Sequence, residues 1–132
     1  MKLSNEMLEY KPELPKSAIT YLRKEKNSTC TIKFITNKSE HNVNESFVKF
    51  IDLFNGQNSV KDIIEVFRNI YPQVPVSTFE NDILDMIVKL DDLQVLKSDN
   101  NNPFLSKLEL QLNENHKICL ANYTDFLKLK TL

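Results

Sequence analysis

Glycine is almost absent from this chain: Gly56 stands alone among 132 residues. Walker-type loops, dinucleotide-binding turns and nucleophile elbows each need several glycines close together, so all three are excluded. An excess of one charge is missing too. Seventeen Lys and Arg against eighteen Asp and Glu leave a net charge of −1, whereas a chain that grips nucleic-acid backbone carries a basic excess or a basic face. Cysteine is scarce, with Cys30 and Cys119 far apart. The expectation is reduced thiols in a cytoplasmic setting, with no disulfide between them. No apolar run approaches the roughly 20 residues that cross a bilayer. The charged start, MKLSNEMLEYKPELPK, lacks the apolar stretch of a signal peptide, so no membrane partner is expected.

What is present suffices for one core. The 41% hydrophobic content is too little to bury two. Residues 1–16 are polar, contain Pro12 and Pro15, and read as an N-terminal arm. From Ser17 the hydrophobic period is near two. Cys30, Ile32 and Phe34 then alternate with Thr31, Lys33 and Ile35 inside a β-branched run, TCTIKFIT. With turns at 26–28 and 37–38, and a short polar strand over 39–43, this predicts a three-stranded antiparallel meander.

After Asn44 the period becomes helical. Asn44 is a good N-cap for a helix carrying Phe47, Phe50, Ile51 and Phe54 on one face, with Asn55-Gly56 as its stop. A second helix opens with the capping box Ser59-x-x-Asp62 and runs through Ile63, Ile64, Phe67 and Ile70 to Tyr71, before Pro72. A third opens with Ser77-x-x-Glu80 and continues to about Leu93. Residues 94–97 read as a strand returning to the sheet, and 98–103 (SDNNNP) as a linker. Leu108, Leu110 and Leu112 alternate with polar residues, and 117–121 can pair back as a C-terminal hairpin.

On the third helix, Phe79, Ile83, Met86, Leu90 and Leu93 form the core stripe at about 100° per residue. Leu84 and Val88 fall on another face, with Glu80 and Asp91 beside them. Asp82, Asp85, Asp91 and Asp92 read as a solvated outer face rather than a metal site. His116-x-x-Cys119 has the spacing of a zinc-ligand pair but no second local pair. With no oriented base beside either His, the chain reads as a non-enzyme that holds no cofactor.

Asn44-Glu45-Ser46, then Phe50-Ile51-Asp52-Leu53-Phe54-Asn55-Gly56, resembles the Asn-Glu-Thr, apolar helix and Asp-Gly pattern of the PqqD-like family. Ser59-Val60-Lys61-Asp62-Ile63 is similar to that family's Thr-Val-x-x-Ile helix start. Asp82-Ile83-Leu84 through Leu90, then Val95-Leu96, resembles its third helix and following apolar pair. The likeness covers about 17–97, with Gln94 standing where the family commonly has glycine and with 98–132 lying outside it as a linker and C-terminal extension. The resemblance implies an α+β fold: a three-stranded antiparallel sheet followed by a three-helix winged helix-turn-helix.

The function it implies is recognition of a ribosomally made precursor peptide. The leader region would add as an extra strand in the groove between the third strand and the third helix, and its core would be presented to a separate modifying enzyme, often a radical SAM protein. Backbone hydrogen bonds supply affinity in such strand addition, and side-chain pockets supply selectivity. The implied contact residues are Glu40, His41, Asn42 and Val43 on the strand, and Glu80, Leu84, Val88 and Asp91 on the helix. The alternative for a winged helix is a DNA-binding regulator. Its recognition helix would carry Glu80, Asp82, Asp85, Asp91 and Asp92 against Lys89 alone, and phosphate would be repelled.

Overall fold

The alternation through Cys30, Ile32 and Phe34 puts those three side chains in the core and leaves Thr29, Thr31 and Lys33 on the outer face. The computed structural model describes residues 3–26, 29–36, 40–97, 103–104, 120–121 and 123. Three strands, β1 (Ile19–Lys24), β2 (Thr29–Phe34) and β3 (Glu40–Asn44), form an antiparallel sheet in the order β1-β2-β3. The register sets Leu22 opposite Ile32 and Cys30 opposite Val43, with an irregularity between Ile19 and Tyr21. Among the described residues both β1 and β3 are edges of this sheet. The fold is α+β, a three-stranded antiparallel sheet with several helices.

Among the described residues four α-helices accompany it: α1 (Asn5–Glu9), α2 (Glu45–Asp52), α3 (Val60–Ile70) and α4 (Val76–Asp92). Asn44 caps α2 by accepting from the Phe47 N–H at 3.2 Å. At α3 the predicted capping box is complete, with Ser59 and Asp62 each accepting the other's backbone N–H at 3.0 Å. Reciprocal bonding of this kind satisfies two helix-terminal donors that would otherwise be orphaned. Phe47, Phe50, Phe54, Ile63, Ile64 and Phe67 are buried as expected, but Ile70, placed on the core face from its spacing, is exposed.

Three expectations meet a different detail in the structure. In residues 1–16, read as a polar N-terminal arm, Leu3, Met7, Tyr10 and Leu14 are buried in the same core as the sheet and helices. Backbone bonds stitch this segment down: Leu14 N–H to Phe54 O, Gly56 N–H to Pro12 O, Val60 N–H to Tyr10 O and Lys97 N–H to Glu13 O, all at 2.8–2.9 Å. The lone glycine is explained here, because Gly56 has φ of 77° and a Cβ on it would lie 2.4 Å from Glu13 Oε1. Second, α4 begins at Val76 with Pro75 as its N-cap and no side-chain cap. Ser77 does not cap, because it already lies inside the helix, and Glu80 accepts instead from the Leu3 N–H at 3.4 Å.

Third, residues 94–97 form no strand. Gln94 N–H bonds to Asp91 O at 2.9 Å and Val95 N–H to Leu90 O at 3.2 Å, with Gln94 at φ of 60°. This pair of bonds around a left-handed residue is a Schellman ending, and the buried Val95 and Leu90 supply its apolar contact. The expected C-terminal hairpin lies almost wholly outside the described residues, as does Cys119; Cys30 is buried and free. Among the described residues, no helix is long and apolar enough to cross a membrane.

Because a left-handed backbone suits glycine and strains glutamine, Gln94→Gly should raise stability by about 1 kcal/mol. Urea denaturation of the two proteins checks this, and a loss of stability would refute the Schellman assignment.

Candidate functional site

The sequence-predicted contact residues do not come together. On β3, Glu40 and Asn42 point to the outer face of the sheet, where Glu40 accepts from the Tyr21 hydroxyl and Asn42 bonds to Thr29 Oγ1 at 3.1 Å. His41 and Val43 turn inward. His41 lies 5.7 Å from the Phe34 ring, and burial holds its imidazole below the usual range. On α4, Leu84 and Val88 are only 3% and 1% exposed and belong to the core. They are not an open groove wall, which corrects their predicted facing. Glu80 lies toward the N-terminal segment, through its bond to Leu3. Asp91 is half-buried, and desolvation, with Asp92 beside it, raises its pKa.

A different side of α4 carries Asp82, Asp85 and Lys89, spaced three and four apart and therefore stacked along one helix face. These carboxylates were expected on a solvated outer surface. Instead Asp82 and Lys89 are 8% and 7% exposed, and Lys89 Nζ pairs with Asp85 Oδ1 at 2.9 Å. Among the described residues no cluster of His, Cys, Asp or Glu could hold a metal ion.

Lying between this face and β3 is a piece of polypeptide from the other end of the chain. Asn44 Nδ2 donates to Leu120 O at 2.8 Å and to Ala121 O at 3.4 Å, and Ser46 Oγ donates to Ala121 O at 3.0 Å. From the opposite wall, Asp82 Oδ2 accepts from the Ala121 N–H at 3.2 Å and from the Tyr123 hydroxyl at 2.5 Å. Three side chains thus bind main-chain groups of residues 120–121, and one side chain, Tyr123, is gripped through its phenol. Its ring, 1% exposed, sits 4.9 Å from Phe79, 5.3 Å from Tyr71, 5.8 Å from Phe67 and 6.2 Å from Phe50.

Asn44 is suited to its place because it must do two things at once. Its Oδ1 caps α2 while its Nδ2 grips the C-terminal segment. Aspartate could cap equally well, but it has no donor to offer a carbonyl. Sequence reasoning saw the cap and missed the grip. It also missed Ser46, Asp82, Leu120, Ala121 and Tyr123. The available signal was Asp82 itself, a charge directly flanking the Phe79–Met86 stripe.

Desolvation raises the Asp82 pKa, with the Asp85 charge adding to it, against the opposing pull of the Tyr123 hydroxyl and the Ala121 N–H. Burial and the Asp82 bond push the Tyr123 phenol far upward, so it stays protonated as the donor. A carboxyl whose folded-state pKa lies above its unfolded value contributes stability that is fully present below the unfolded pKa and lost as pH rises through the folded one. Asp82→Asn keeps an acceptor but does not titrate. The stability of the wild type relative to this variant should therefore fall as pH rises from about 4 toward neutrality. Denaturation across that pH range tests the sign, and a relative stability that rises instead would refute it.

No protein-family model, curated protein or solved structure matches this chain.

Proposed function

We propose that this protein is a peptide-recognition module that binds the leader region of a ribosomally made precursor and presents it to a separate modifying enzyme. The order of three antiparallel strands followed by α2, α3 and α4 supports this reading, because it is the order expected of a winged helix-turn-helix of the PqqD-like kind. One observation supports the reading: Asn44 and Ser46 at the end of β3 and the start of α2, and Asp82 on α4, hold Leu120 and Ala121 through their backbone groups. A groove that reads main chain is suited to receive a peptide.

In this reading the edge strand β3, with Glu40, His41, Asn42 and Val43, offers the ladder on which a leader strand adds. Its shortness and polarity guard a free edge against indiscriminate pairing. On the helix side the wall is Asp82 with its neighbours, not Glu80, Leu84, Val88 and Asp91. The chain contributes no chemistry of its own. The partner enzyme, a radical SAM protein by the family resemblance, would hold the iron–sulfur cluster, since two cysteines cannot ligate one.

The regulator reading fares worse. A recognition helix needs an exposed face to enter the major groove, yet of the seventeen residues of α4 only Val76, Ser77 and Asn81 are exposed, all near its N-terminal end. Titration of the protein with synthetic leader segments of short peptides encoded beside its gene should give a dissociation constant near micromolar or tighter, about −8 kcal/mol or better. Random duplex DNA at physiological salt should show no comparable affinity. Tight, salt-sensitive DNA binding with no peptide partner would reverse the assignment.

A further inference from the structure

We propose that Leu120, Ala121 and Tyr123 are an exchangeable, built-in ligand of the Asn44–Ser46–Asp82 cradle, and that the peptide they stand in for carries a tyrosine two positions after a small residue. The inference rests on the peptide-recognition reading and deepens it by naming what the groove selects.

Three features distinguish this segment from an ordinary piece of core. First, its partners are remote in sequence, 39 to 77 residues away, and among the described residues it joins no strand of the sheet. Second, the cradle binds Leu120 and Ala121 through the carbonyl and amide groups that every peptide has. Any chain of similar girth can satisfy Asn44, Ser46 and the Asp82 carboxylate. Specificity enters through side chains, at the buried Leu120 and above all at the four-ring pocket that takes the Tyr123 ring while Asp82 takes its hydroxyl. Third, release is compensated. Asn44, Ser46 and Asp82 regain water when the segment leaves, and the buried charge loses its desolvation penalty. The aromatic pocket has no such compensation, because emptying it exposes four rings. A competing peptide must therefore refill it with an aromatic residue, and a phenol does so with the Asp82 bond restored.

The test uses the full chain. A fluorescently labelled synthetic peptide of residues 118–126 is titrated into the wild type and into Tyr123→Ala, whose own anchor is gone. The variant should bind the peptide at least tenfold more tightly than the wild type. A peptide with alanine in place of the tyrosine should not bind. Equal affinity of a folded Tyr123→Ala variant and the wild type would overturn the proposal.

Should that variant fail to fold, amide exchange on the wild type decides. The Ala121 amide should exchange through local opening, with protection at least a hundredfold below that of Ile83 and Phe67. Protection equal to theirs would make the segment ordinary core and end the proposal. The two readings fail separately. If Ala121 opens and the peptide exchanges but no leader segment binds, the cradle stands and the leader function falls. If a leader segment binds without altering Ala121 exchange, the leader function stands and this inference falls.

Discussion

A single buried carboxylate organises the junction between the last helix and the end of the chain. Asp82 sits on α4 at 8% exposure, where an unpartnered charge would be strongly unfavourable. It is tolerated because two donors converge on it, the Ala121 N–H and the Tyr123 hydroxyl. Those bonds hold the Tyr123 ring among Phe50, Phe67, Tyr71 and Phe79, and so tie α2, α3 and α4 to a segment some forty residues further along. Asp85 and Lys89, about one and two turns on, form a second, largely buried pair on the same face. Polar contacts of this type add little net stability against apolar packing, but they reward one geometry strongly over others.

The contrast between the two ends of the chain follows from the same economy of burial. The N-terminal segment docks by backbone bonding to the α2–α3 loop and the end of α4, with Leu3, Met7, Tyr10 and Leu14 as its apolar anchors. The C-terminal segment docks by side chains that grip its backbone, with one aromatic anchor. The first arrangement demands a close approach that only Gly56 permits. The second combines backbone contacts to Leu120 and Ala121 with the buried side chains of Leu120 and Tyr123.

Local signals were the legible ones. The period-two run through Ile32, the cap at Asn44 and the capping box at Ser59 and Asp62 act within a few residues, and each stands as expected. Long-range choices were not legible. Glu80 had two possible partners, the Ser77 cap or the Leu3 amide, and tertiary packing chose the second. Leu84 and Val88 lie well off the centre of the Phe79 stripe, and helical periodicity places them outward when one side of α4 is assumed to be covered. In the fold α4 is covered nearly all round, so a wheel with one apolar face could not locate the groove. For the same reason Asp82 read as a solvated acid, since nothing local announces that Tyr123 will reach it.

The central claim is that Asp82 and Tyr123 fasten the C-terminal segment to α4 through a direct bond. A double-mutant cycle combining Asp82→Ala with Tyr123→Phe, read by urea denaturation at neutral pH, measures that bond apart from the packing of the ring. A hydroxyl donating to a charged acceptor should give a coupling of about 1.5–3 kcal/mol. Removing the hydroxyl should then matter little once Asp82 is gone. Additive effects, with a coupling near zero, would contradict the account.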